Sequence, residues 1–310
     1  MLSTVAERMY WAARYLERTE NTARLVGVYD NLLLDLPRGI HISWYNLVAL
    51  NGLTENFAEH YADRDEHSVV SFLLADDRNP VSMLSSLRLL RENVRTTRDV
   101  LSPQAWEFVN ELHLLAIGNF GAAGDLRGQR HRLLDDIIKG CVQISGLLND
   151  AISHDAGWQF IQLGRHLERA DMITRILDAG AVLLLQPAAE QGVNLAQIVW
   201  GHVLRSLDAY QGYRRTVRAK VSGVDVTRFL LEDEYFPRTM RFCHDRLADA
   251  IDRLPNRKAA RECLALVSNA PFPFEAEDCL GEPLREHLNE LQIRLAGLHQ
   301  CFFESWFSFA

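Results

Sequence analysis

Two stretches of the chain set carboxylates and arginines at one short spacing: Glu17, Glu20 and Arg24 within ARYLERTENTARLV (13–26), and Glu168, Asp171 and Arg175 within GRHLERADMITRIL (164–177). The second follows the first by 151 residues, and the same shift lays Arg14 on Arg165, Leu16 on Leu167 and Arg18 on Arg169. Carboxylates at such spacing can act as general bases or metal ligands, and guanidinium forks suit a carboxylate or a phosphate. Metal chemistry is the poorer match. Carboxylate-bridged dimetal bundles draw a histidine from a Glu-x-x-His pair, whereas arginines that neutralise the acids are interleaved in both stretches here. Neither a metal nor a cofactor is therefore expected.

On a helix turning about 100° per residue, Leu16 marks the centre of an apolar stripe, and Ala13, Glu17, Glu20 and Arg24 all fall within about 100° of it on one flank. The shift of 151 puts Gly164, Glu168, Asp171 and Arg175 on the matching flank of a second helix. Arg18 and Arg169 project away from the stripe and are expected to face outward. Two readings of the seam stay open. One is a salt-bridge clasp registering two long central helices; the other is a polar cleft for a peptide carboxylate or small anion. The candidate ligand-binding residues are Arg14, Glu17, Glu20, Arg24, Arg165, Glu168, Asp171 and Arg175, with Arg238 as a secondary candidate.

Other charged sets read more plainly. Arg88, Arg91, Arg95 and Arg98 recur with Glu92 at three- and four-residue steps, the pattern of a solvated face with local ion pairs. Tyr210, Tyr213, Arg214, Arg215 and Arg218 read as packing rings with flanking cations. Pro237 is placed to open a helix, which would set Arg238 and Arg241 in its first turns, where the helix dipole prefers acids. Arg238 could then pair with Glu232, Asp233 or Glu234, or serve a ligand. No GxSxG elbow, no Gly-rich phosphate loop and no serine or cysteine flanked by a convincing base is legible. His166 stands where the first stretch has Tyr15, and a lone helical histidine reads as structural.

These residues must be carried by helices, because apolar positions recur at three and four along a chain of 310 residues with only 9 prolines and 18 glycines. A first helix is expected from the Ser3 cap to about Leu36, ended by Pro37 and Gly39. Further helices are expected at 41–62, 66–76, 80–101, 103–119, 127–154, 156–185, 194–220, 222–231, 236–253, 256–268 and 282–307. Asn79-Pro80 and Ser102-Pro103 each read as a cap followed by proline at the first helical position. Gln186–Gly192 reads as a connector and Asn269–Phe274 as a packed loop. The fold class is all-α: a multi-helix bundle, with two long central helices related by an internal pseudo-twofold repeat. It forms one domain over 1–310, built from halves at about 1–150 and 151–310.

A formal charge of -8 argues against a general binder of nucleic-acid backbones. Cys141, Cys243, Cys263, Cys279 and Cys301 are odd in number and show neither CxxC nor zinc spacing, so they read as reduced, mostly buried thiols. The charged N-terminal stretch is unlike a signal peptide and no segment is apolar enough for a membrane span, so a cytoplasmic location is expected.

The chain resembles the bacterial alpha-E domain family over essentially its whole length. The likeness rests on VAERMYWAARYLERTENTARL, NPVSMLSSLRLLRENVRTTRDVLSPQAWEFVN, GWQFIQLGRHLERADMITRIL and LRSLDAYQGYRRTVRAKVSGVDVTRFLLEDEYFPRTMRFC, in that order. The resemblance implies operon partnership with circularly permuted ATP-grasp amide ligases and transglutaminase-like proteins, and in some genomes a proteasome-like peptidase. It implies a role in making, attaching or trimming small peptides. The expected function is therefore an accessory helical protein that binds an ATP-grasp peptide or amide ligase, or its peptide product. The alternative is an enzyme of the same pathway that uses the Glu/Arg seam as general base and carboxylate clamp.

Overall fold

A computed structural model of the chain describes residues 2–37, 40–125, 127–184, 193–268, 271–274 and 279–308. Every regular element among them is helical. In order they are α1 (Ser3–Asp35), α2 (Asn46–Leu50), α3 (Thr54–His60), α4 (Glu66–Leu74), α5 (Met83–Arg95), α6 (Pro103–Asp125), α7 (Arg127–Asp150), α8 (Ala156–Leu184), α9 (Val193–Ser206), α10 (Tyr210–Thr216), α11 (Gly223–Glu232), α12 (Met240–Asp252), α13 (Lys258–Ser268) and α14 (Glu282–Phe302). A single π-helical turn, Phe303–Phe307, continues α14. None of these helices is long and apolar enough to cross a membrane.

The two longest helices end within a residue of where the sequence places their ends, but several other expected boundaries differ. The stretch 41–62 is two short helices, because Gly52 between them takes a left-handed φ of 70° that an L side chain disfavours. The stretch 194–220 is likewise broken, at Asp208 with φ 53°. Ser102 caps α6 as expected, its Oγ accepting from the Ala105 amide at 3.3 Å. Asn79, however, caps a turn rather than a helix: its Oδ1 accepts from the Val81 amide, its Nδ2 donates to the Phe72 carbonyl, and α5 waits for the Ser82 cap. Similarly α12 opens at the Thr239 cap, so Pro237 and Arg238 precede the helix. The Gln186–Gly192 connector lies outside the described residues. Of the Asn269–Phe274 loop, 271–274 are described, and Phe272 and Phe274 there are buried edge to face.

The chain divides into two compact units. The first comprises 1–27, 43–168 and 306–310. Within it α5, α6 and α7 pack in succession and α4 lies on α6, while Met9, Leu90, Val109, Ile144 and Leu163 are among its buried side chains. Phe307 packs its ring 5.3 Å from Tyr10 and 5.6 Å from Phe160. The second unit comprises 28–42 and 169–305. There α12, α13 and α14 pack in sequence, α11 lies on α9 and α12, and Trp200, Tyr213, Leu230 and Leu288 are buried.

One correction concerns the cysteines. Cys263 of α13 and Cys301 of α14 form a disulfide, although 38 residues separate them in sequence, while Cys141, Cys243 and Cys279 are buried and stand outside that bond. Helix packing, which no Cys spacing encodes, brings the pair together.

Candidate functional site

Within the first unit the early part of α1 and the early part of α8 meet at their small residues. A Cβ built on Gly164 would lie 2.2 Å from the Tyr10 carbonyl oxygen and 3.2 Å from the Ala13 Cβ, so only glycine permits this backbone approach. One turn further along α8, Glu168 is buried against α1. Its Oε2 accepts from Arg14 Nε at 2.7 Å, and Arg18 forks across both oxygens, Nε to Oε1 at 2.6 Å and a terminal nitrogen to Oε2 at 3.0 Å.

Aromatic rings hold the two arginines in place. Arg14 lies 5.1 Å from the Trp11 ring centroid and donates to the Tyr10 hydroxyl at 3.3 Å, and Arg18 lies 5.7 Å from the Tyr15 ring. Burial alone would raise the Glu168 pKa, but the charges of Arg18 and Arg14, together with their hydrogen bonds, outweigh it and hold the group at about 2. Burial likewise pushes the Tyr10 phenol up to about 12. The result is an ionised carboxylate with two cationic partners and no tendency to take up a proton near neutrality.

Arg18 is thus a correction to the helical-wheel expectation. It was expected to face outward, yet its side chain is only 16% exposed. The wheel assumes a single buried stripe, whereas Tyr10, Ala13, Leu16, Glu17, Thr19, Glu20, Asn21, Thr22 and Ala23 are all buried, so α1 is enclosed on most of its circumference. A run of small and hydroxyl residues around the charges was the available signal.

The remaining candidates fall in separate places. Arg24 donates through Nε to Glu20 Oε1 at 2.9 Å, one turn back on α1. Arg175, in the second unit, repeats that local bond with Asp171 at 2.7 Å. Glu17 is buried and Arg165 half-buried in the first unit. Arg238 is buried in the second unit, just ahead of α12. Arg169 donates to the Pro237 carbonyl at 3.2 Å. His166 is buried with its Nε2 3.2 Å from Gln162 Oε1, a structural placement.

The other charged sets resolve into local pairs. Arg95 forks onto Glu92, and Arg91 and Arg98 stack on Trp106 at 5.1 and 5.3 Å. Tyr213 is fully buried and donates its hydroxyl to the Lys220 carbonyl. Among the described residues no three His, Cys, Asp or Glu side chains gather as a metal site would require.

Residues 1–307 match the family Alpha-E, described as "a predicted alpha-helical domain with a conserved ER motif". The chain belongs to the Alpha-E family. Two of its Glu-Arg dipeptides, Glu17-Arg18 and Glu168-Arg169, lie in the duplicated stretches, and Arg18 of one meets Glu168 of the other. Similar proteins occur in mycobacteria. An uncharacterized protein of Mycobacterium bovis is 26% identical, and one of Mycobacterium tuberculosis strain H37Rv is 25% identical, each over 95% of this chain. The chain spans 35% of the length of these relatives. No solved structure matches the chain.

Proposed function

We propose that this Alpha-E chain is an accessory helical protein that binds an ATP-grasp-type peptide or amide ligase, or the ligase's peptide product. The observation that carries the reading is the saturation of Glu168: three short bonds from two arginines occupy both carboxylate oxygens. A general base must carry an accessible lone pair and a pKa near the working pH. A buried group held at about 2 meets neither requirement, so the seam serves better as the rigid spine of a binding module than as the base of an enzyme.

The test is co-elution of the tagged full chain with an ATP-grasp-type amide ligase, with ATP and without, followed by native mass spectrometry of the complex and any retained peptide. A stable complex is expected. Independent elution under both conditions, with no peptide retained, would overturn the proposal. Arg24→Lys refines the test, since it keeps the charge and the local pair but loses the forked contact. Affinity that falls while the melting temperature holds would put that flank of α1 at the binding surface.

A further inference from the structure

A second site, unrelated to the seam, lies wholly within the second unit, where α12 and α13 pack side by side. Ser268 ends α13, and its Oγ is hydrogen-bonded to His244 Nε2 of α12. The other ring nitrogen, Nδ1, lies 3.3 Å from Oδ1 of Asp245, which is itself steadied by Arg241 Nε at 3.1 Å from Oδ2. A carboxylate on Nδ1 favours the tautomer that carries its proton there and leaves Nε2 as the acceptor for a hydroxyl proton. The Ser268 hydroxyl has one competing acceptor, the Leu264 carbonyl at 3.3 Å.

This constellation borders a cavity of about 400 Å³. Its volume is within the usual range for small-molecule sites. Leu231, Met240, Val267 and Phe272 supply an apolar wall, Glu232 and Glu234 add negative charge, and Arg241 and His287 line the same cavity. His244 and Ser268 both line the cavity, so a molecule inside reaches the hydroxyl directly. Base and orienting acid are neighbours in sequence, but the serine lies 24 residues further on, which is why the sequence shows no base flanking it.

We propose that Ser268, His244 and Asp245 form an acyl-transfer site that hydrolyses small esters or amides with an apolar acyl group and a nearby amine. Ser268 Oγ forms a bond to the substrate carbonyl carbon while its proton passes to His244 Nε2. The bond from that carbon to the leaving oxygen or nitrogen then breaks, and Nε2 returns the proton to the departing alcohol or amine. Water, deprotonated by the same nitrogen, attacks the acyl-serine, releases the carboxylic acid and restores the Ser268 hydroxyl. Asp245 holds the ring in the required tautomer, and Glu232 and Glu234 attract the amine.

The test is intact-mass spectrometry of the full chain after exposure to an alkyl fluorophosphonate, with peptide mapping of the adduct. A single adduct on Ser268 is expected, absent in Ser268→Ala and formed at least about 100-fold more slowly in His244→Gln, the scale of general-base assistance. Asp245→Asn provides a second reading if His244→Gln fails to keep its helical circular dichroism, and it too is expected to slow labelling. Absence of an adduct, an adduct elsewhere, or wild-type labelling rates in the folded base or acid variant would overturn the proposal.

Discussion

Arg18 of α1 grips both oxygens of Glu168 on α8, at 2.6 and 3.0 Å, and leaves that carboxylate 5% exposed. Two turns of sequence chemistry 150 residues apart thereby become one object. A forked pair of this kind fixes rotation as well as distance, so it sets how one long helix registers on the other.

Removing the acid should cost far more here than on the surface. Glu168→Gln leaves Arg14 and Arg18 desolvated beside a neutral amide, and breaking a buried pair costs about 3–5 kcal/mol. Glu59→Gln, on the exposed face of α3, should change stability by less than about 0.5 kcal/mol. Urea midpoints of the two variants and wild type measure the difference. Equal midpoints would show that the seam is solvated.

Acid should dissect the same interaction. The Glu168 pKa is about 2 in the folded chain against an ordinary 4.5, so the folded state resists protonation more than the unfolded state does. A depressed folded value contributes stability that is complete above the ordinary value and is lost as the pH falls through the folded one. Above the ordinary value the contribution is on the order of 3 kcal/mol. The stability gap between wild type and Glu168→Gln should therefore be flat above about pH 5 and shrink as the pH falls below it. A gap that stays constant down to pH 3 would count against a depressed carboxylate.

The disulfide of the second unit gives a prediction in a different currency. Three of the five cysteines should alkylate in denaturant without reductant, and all five with it, read by intact mass. Closing a loop of 38 residues restricts the unfolded chain. The chain-entropy estimate for a loop of that size is about 4 kcal/mol, an upper figure because measured gains are often smaller. Cys263→Ala should accordingly lower the urea midpoint, and reductant should lower the wild type to match. Five alkylated thiols without reductant would remove the bond from solution.

What the sequence made legible follows from which forces are local. The expected spans 3–36 and 156–185 differ from α1 and α8 by a residue at their C-terminal ends, because caps and apolar periodicity act within a few turns. The break at Asp208 was hidden, since one left-handed residue in a helical pattern is selected by packing rather than by its type. Arg18 was misplaced because a wheel ranks directions from one stripe and α1 has buried neighbours nearly all round. Cys263 with Cys301, and Ser268 with His244, are pairs in space alone, joined by the side-by-side packing of α12, α13 and α14.

The close approach of α1 and α8 at Gly164 brings the clasp together. Glycine inside a helix is normally a weakness, and replacing it by alanine gains roughly 0.5–1 kcal/mol where space permits. Gly118 of α6 has nothing within 4 Å of an added Cβ and should show that gain. Gly164 should do the opposite, because its added carbon would meet the Tyr10 carbonyl oxygen at 2.2 Å, a backbone atom that cannot rotate aside. Overpacking of this kind costs about 1–3 kcal/mol. The strain should also reach Glu168, one turn away, by lifting α8 from the two arginines. Glu168→Gln should then cost less in the Gly164→Ala background than in wild type, a coupling that a double-mutant cycle in urea measures directly. Additive losses would mean that the crossing and the clasp are independent; a gain from Gly164→Ala matching that of Gly118→Ala would mean that the helices do not approach at this point at all.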